Sequence, residues 1–173
     1  MPASPSDDAC LDAYQRELDY LMRTLQRLGT AKEDLEDLAH ETFLALRASW
    51  QQYDPSRALR PYLFGIAFRV ASSHRRRHWR EVPIEAEEQQ DLAPIPDQAL
   101  EASEVRALVL SALQRIPMQR RVVLILHELD EVPIRDVAAT LGIPLFTAYS
   151  RLRKARQELE AALVRAQNRS VAR

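Results

Sequence analysis

An all-α fold of two small helical domains is what this sequence predicts, and three observations predict it. Apolar residues recur at spacings of three and four along most of the chain. Only three glycines and few β-branched runs leave little material for a sheet. The one long stretch without helical periodicity, 82–102, holds three prolines and a concentration of acids, and reads as a flexible acidic linker. The expected domains are therefore 11–81 and 103–167, the second being a helix-turn-helix.

The elements follow in order. Tyr14, Leu18, Leu21, Leu25 and Leu28 stripe a first helix that Gly29 ends, and Thr30 with Glu33 has the spacing of a capping box for the next. That second helix carries Leu35, Leu38, Ala39, Thr42, Phe43 and Leu46 inward and runs to about Trp50, before a turn at Tyr53-Asp54-Pro55. A third begins near Pro61, turns Leu63, Ile66, Ala67 and Val70 inward, and becomes arginine-rich from Arg75. Beyond the linker, Val105, Leu108, Val109, Ala112, Leu113 and Ile116 make a helix. Pro117 opens another, striped by Met118, Val122, Ile125, Leu126 and Leu129. Ile134, Val137, Ala138 and Leu141 mark a short helix stopped by Gly142, and Ile143-Pro144 leads into a last one with Ala148, Leu152, Ala155, Leu159 and Ala162 inward. This final pair reads as a helix-turn-helix, because Tyr149, Ser150, Arg151, Arg153, Lys154 and Arg156 are left pointing largely outward, a face suited to a nucleic-acid groove.

A formal net charge of -1 conceals a segregation. Residues 55–80 hold seven arginines and no acid, 81–104 eight carboxylates and no Lys or Arg, and 151–173 seven cations against two acids. Two separate basic surfaces divided by an acidic connector suit a protein that touches a polyanion twice, although any one such cluster is also what a solvated amphipathic helix shows. The single cysteine, Cys10, excludes an intramolecular disulfide and a cysteine-based zinc set, and is expected in a frayed tail. The N-terminus lacks the charged and apolar regions of a signal peptide, and no apolar run approaches the roughly 20 residues that span a bilayer, so a cytoplasmic location is the default. His74 and His78 stand four apart but among arginines, and His127-Glu128 lacks the second histidine of the zinc-protease pattern. No phosphate-binding glycine loop or nucleophile elbow is present, so neither catalysis nor a cofactor is expected.

Three strings, in this order, resemble the extracytoplasmic-function sigma factors of bacterial RNA polymerase, the minimal sigma-70 members that keep only regions two and four. They are DLEDLAHETFLALR at 34–47, LRPYLFGIA at 59–67 and IPLFTAYSRLRKAR at 143–156. The resemblance spans about residues 11 to 165 and implies core-polymerase binding by the first string, promoter melting by the second and recognition of the minus-thirty-five element by the third. It places Asp34, Glu36, Asp37 and Glu41 against the polymerase; helix-dipole complementarity would explain Asp34 and Glu36 but not Glu41. Tyr62, Phe64 and Phe68 interleaved with Arg57, Arg60 and Arg69 suit single-stranded DNA, aromatics stacking on bases and arginines tracking phosphates, with at least one aromatic expected in the core. Arg57, Arg60, Tyr62 and Arg69 are favoured over Phe64 for the minus-ten strand. Arg75, Arg76, Arg77 and Arg80 form a phosphate clamp on duplex. On the last helix the resemblance makes Tyr149, Ser150, Arg153 and Lys154 base readers and Thr147, Arg151 and Arg156 phosphate contacts.

Two departures from the family pattern bear on base preference. Arg69 stands where these sigmas often carry Asn, and Leu145, Phe146 and Tyr149 replace commoner small or cationic residues. The implied partners are core RNA polymerase, promoter DNA both double- and single-stranded, and a cognate anti-sigma factor, the free protein being monomeric. Two other readings stay open: a dimeric helix-turn-helix repressor or activator, and a sigma mimic that titrates an anti-sigma factor.

Overall fold

A computed structural model describes residues 7–81 and 100–171, and among them every regular element is helical. The first domain comprises α1 (Asp7–Arg16), α2 (Leu18–Leu28), α3 (Leu35–Ser49) and α4 (Leu59–Glu81). The second comprises α5 (Leu100–Gln114), α6 (Met118–Leu124), α7 (Ile134–Leu141) and α8 (Leu145–Val171), with a π turn, Ile125–Leu129, continuing α6. Of the connector expected at 82–102, residues 82–99 lie outside the described residues. Its last three belong to α5, which starts at Leu100.

The expected first helix is two. The chain breaks at Glu17 (φ −104°, ψ 7°), and α1 packs on α3 through a Tyr14–Phe43 ring contact at 4.8 Å and a Tyr14 hydroxyl that donates to the Ala39 carbonyl at 3.0 Å. Cys10 is fully buried there rather than lying in a frayed tail. Gly29 does end α2, with φ +91° and its N–H on the Gln26 carbonyl at 2.9 Å. The capping box does not form. Ala31 is extended, a 3₁₀ turn at Lys32–Asp34 leads into α3, and neither start carries a side-chain cap, so Thr30 stands too early to be the capping residue.

Leu21, Leu25, Leu38, Leu46, Leu63 and Phe64 of the first domain and Leu113, Ile116, Leu124, Ile125 and Leu126 of the second are buried in one continuous core. Burying each such side chain contributes about 1.5–3 kcal/mol. The two domains also pack on one another, α2 against α5 and α6, and α4 against α7. At the second approach Gly65 lies beside Thr140, whose Cγ2 would be in ordinary contact, 3.5 Å, with a Cβ at residue 65. Arg121, 4% exposed, bridges the first: its guanidinium donates to the Leu28 carbonyl at the end of α2 (2.8 Å), to Gln114 (2.6 Å) and to Ile116 (3.0 and 3.1 Å). Burial lowers its pKa to about 10, which still leaves it charged at neutral pH.

Candidate nucleic-acid interface

Gly142, at φ +64°, turns the chain out of α7, and the Ile143 N–H closes that end on the Ala138 carbonyl at 3.0 Å. The chain then enters α8, whose Ala148, Leu152 and Ala155 are buried against the second domain. This seating sorts the outward residues into two rows. Thr147, Ser150, Arg151 and Lys154 line a shallow cavity of about 270 Å³ whose far wall is Gln119 and Arg120 at the start of α6. Arg151 reaches across it to Gln119 Oε1 at 3.3 Å. Tyr149, Arg153 and Arg156, at helical spacing, form the second row, with Tyr149 54% exposed. Phe146, 82% exposed, caps the cavity edge. Arg156 is not a bare cation: its Nε donates to Glu128 Oε1 at 2.7 Å.

The α4 residues divide more sharply than the sequence suggests. Phe64 is core. Tyr62 is half-buried, its hydroxyl donating to the Ser49 carbonyl at 3.2 Å and its ring 5.1 Å from Tyr53, which stacks at 5.1 Å on Trp50. This aromatic column ties the turn after α3 to the start of α4. Asp54 orders the same turn by accepting the Ser56 N–H (2.9 Å) and hydroxyl (2.7 Å), bonds that lower its pKa. Arg57 projects from the turn with its side chain 82% exposed. Arg60 turns instead toward α2, bonded to Glu17 at 2.8 Å and lying 5.1 Å over the Tyr20 ring, so it does not join Arg69.

Arg69, Arg75 and Arg76 come together with Phe68 and Ser72 along a cleft of about 720 Å³ closed on the other side by Met118 and Gln119. Gln119 thus lines both cavities, and the two basic surfaces expected to be separate meet at the start of α6. Arg77 leaves this group to pair with Glu41 across α3 at 3.2 Å. Arg80 falls in the last turn of α4, where only the backbone is described.

The acidic residues of α3 also separate. Asp34 and Glu41 face α4, within 3.9 Å of His74 and 3.2 Å of Arg77, whereas Glu36 and Asp37 are exposed beside His40 and Leu44. Leu44, 49% exposed on the same face, is a large apolar residue left outside the core that the sequence reading did not single out. Its signal was available, since it falls outside the inward stripe of Leu38, Thr42 and Leu46.

Two helical domains, one presenting arginines and aromatics along a helix and the other a helix-turn-helix with an outward cationic face, define a nucleic-acid-binding protein. Residues 13–81 match the family model for Sigma-70 region 2 and residues 106–159 that for Sigma-70, region 4. The chain belongs to the sigma-70 family of RNA polymerase sigma factors, in its extracytoplasmic-function group. It is 30% identical over 168 residues to the ECF RNA polymerase sigma factor SigE of Mycolicibacterium smegmatis, a match covering 94% of this chain and 63% of that protein. It is 28% identical to the RNA polymerase sigma factor CnrH of Cupriavidus metallidurans (83% and 80% covered) and 28% identical to the RNA polymerase sigma factor YlaC of Bacillus subtilis (89% of each). Its fold is shared with CnrH in complex with the cytosolic domain of CnrY (TM-score 0.66, 21% identity, 93% and 91% covered). It is also shared with RpoE in complex with the anti-sigma factor NepR from Bartonella quintana (TM-score 0.70, 24% identity, 88% and 96% covered).

Proposed function

We propose that the protein is an alternative sigma factor that binds core RNA polymerase and directs initiation at promoters with minus-ten and minus-thirty-five elements. The observation that carries this reading is the pairing of two outward cationic helices, α4 and α8, on the two matched sigma regions. The exposed stripe of α3, Glu36, Asp37 and Leu44, is the polymerase contact: carboxylates for a basic partner surface, with one leucine to bury at its centre. Tyr149, Ser150, Arg153 and Lys154 read base edges in the major groove, while Thr147 and Arg151 hold phosphates. Arg57, Arg69 and the rim of the aromatic column hold the melted strand, each stacked base contributing about 1–3 kcal/mol. Arg75, Arg76, Arg77 and Arg80 clamp the adjoining duplex, Arg77 exchanging Glu41 for a phosphate and Arg156 exchanging Glu128.

The protein performs no covalent step in this scheme; it supplies position and charge while the polymerase supplies the chemistry. A cytoplasmic monomer held by a cognate anti-sigma factor fits the complexes known for the structural relatives. The test is run-off transcription with purified core polymerase on a library of GC-rich promoters. Protein-dependent starts sharing two spaced elements are expected. Core binding without starts points to a sigma mimic, and a dimer that binds a palindromic duplex unaided points to a repressor.

A further inference from the structure

The side chains exposed at the head of α8 are not all polar. Phe146, at 82%, is the most exposed large apolar side chain among the described residues, and Leu145 and Tyr149, at 38% and 54%, adjoin it. It takes no part in the core, because Ala148, Leu152 and Ala155 seat the helix on the second domain. Its surroundings are cationic. Arg120, Arg151 and Lys154 line the cavity whose edge it caps, and no carboxylate does. A bare phenyl ring among cations suits an occupant that is anionic along its flanks and apolar at one point.

Duplex DNA is such an occupant. A recognition helix enters the major groove with its N-terminal residues against the base edges. Those edges present hydrogen-bond donors and acceptors with one exception, the 5-methyl group of thymine. The ring of Phe146 has no donor or acceptor with which to read another edge or to hold a phosphate, whereas its neighbours Thr147, Tyr149 and Ser150 each carry a hydroxyl. Arg153 stands two turns further along the same line of α8, about 10 Å away, which spans about three base pairs. We propose that Phe146 is a specificity-determining residue: it reads the 5-methyl group of a pyrimidine in the minus-thirty-five element, within about three base pairs of the base that Arg153 reads. This rests on the promoter-reading role proposed above for α8, and it names a chemical group that the role takes.

Holoenzyme assembled from purified core polymerase and the full chain is used to select duplexes from a pool randomised across the minus-thirty-five element. The wild type is expected to enrich one thymine close to the base that Arg153→Ala ceases to select. Phe146→Ala, a change at an exposed side chain, is expected to lose that thymine and keep the rest of the element, and Phe146→Leu, still apolar, to retain part of the preference. Binding to the selected duplex then isolates the methyl group. Deoxyuridine in place of the thymine removes that group alone and is expected to weaken the wild type about fourfold, the effect of one buried methyl, and Phe146→Ala not at all. At the same position 5-methylcytosine is expected to bind the wild type more tightly than cytosine, by a similar factor, which separates the methyl from the other groups of thymine.

A wild type indifferent to the methyl group at every position overturns the proposal. So does a Phe146→Ala variant that selects the same thymine, a result that leaves the ring for a protein partner. Equal weakening on every duplex overturns it too, because Phe146 is then a backbone contact without sequence preference. Failure of the sigma reading shows separately, as a holoenzyme that enriches no element beyond what core polymerase alone enriches. Selection is then repeated with the protein alone: a thymine that Phe146→Ala loses sustains the proposal on the repressor reading, and no enrichment there overturns it.

Discussion

Replacing Gly29 and Gly142 by alanine applies the same chemical change at two helix ends that differ in one respect. Both residues sit in the left-handed region, at φ +91° and +64°, where a Cβ costs about 1–2 kcal/mol. At Gly142 nothing lies within 4 Å of the added carbon, so that cost is the whole effect. At Gly29 the carbon would stand 2.8 Å from Arg121 Nη1. The guanidinium is the end of a flexible side chain, but it is 4% exposed and pinned by bonds to three carbonyls, so it moves only by releasing the Leu28 oxygen. A hydrogen bond to a charged group contributes about 1.5–3 kcal/mol, which places Gly29→Ala at about 2.5–5 kcal/mol against about 1–2 for Gly142→Ala. Urea unfolding followed by helical circular dichroism measures both. In an Arg121→Ala background the Gly29→Ala cost should fall to that of Gly142→Ala. Equal costs in the wild-type background, or an undiminished Gly29→Ala cost without Arg121, refute the reasoning.

Other expectations follow from the same geometry. Arg153→Ala should weaken binding to promoter duplex and relax specificity by about 1–3 kcal/mol, read by fluorescence anisotropy, whereas Arg156→Ala should cost less because Glu128 already holds that side chain. Leu44→Asp or Glu36→Lys/Asp37→Lys should abolish binding to core polymerase in a pull-down, while Glu41→Gln, whose partner is Arg77, should reduce it only slightly. Phe64→Ala should destabilise the protein by about 3–5 kcal/mol, a loss seen in thermal unfolding before any in DNA binding. Asp130 has a pKa raised above 3.8, chiefly by burial against the opposing effects of Tyr20, Arg27 and Arg60. The folded state therefore holds that proton more tightly than the unfolded chain does, and this group's contribution to stability declines as pH climbs from 3.8 through the raised value, then levels off. Acid titration of stability should lose that component in Asp130→Asn.

The helices and their inward faces were legible because burial leaves a period in the sequence. The stripes of α3, α4, α7 and α8 reappear as Leu38, Leu46, Leu63, Ile66, Val137, Ala148 and Leu152 in the core. The exposed row of Tyr149 and Arg153 follows from the same period read from outside. Partners across the chain leave no such trace. Glu41 and Asp37 look alike in sequence, and only the packing of α3 on α4 turns one toward Arg77. Tyr20 and Asp130 are 110 residues apart. The break at Glu17 escaped because the apolar stripe continues from Tyr14 to Leu18 across it. Arg121 escaped too, although it falls three residues after Met118 and four before Ile125, a place on the buried stripe of α6 that could have marked it as an interior cation.

Three of the arginines on the basic helices α4 and α8 are paired internally, Arg60 with Glu17, Arg77 with Glu41 and Arg156 with Glu128, and Arg120 on α6 is paired with Glu158. With a net charge of -1 the protein as a whole has little overall attraction to a polyanion, so contact with one rests on its local basic faces around Arg69, Arg75 and Arg76 and around Arg151, Arg153 and Lys154. On the sigma-factor reading proposed above, the polymerase would bring these faces to promoters, where phosphates would compete with the carboxylates for the paired arginines.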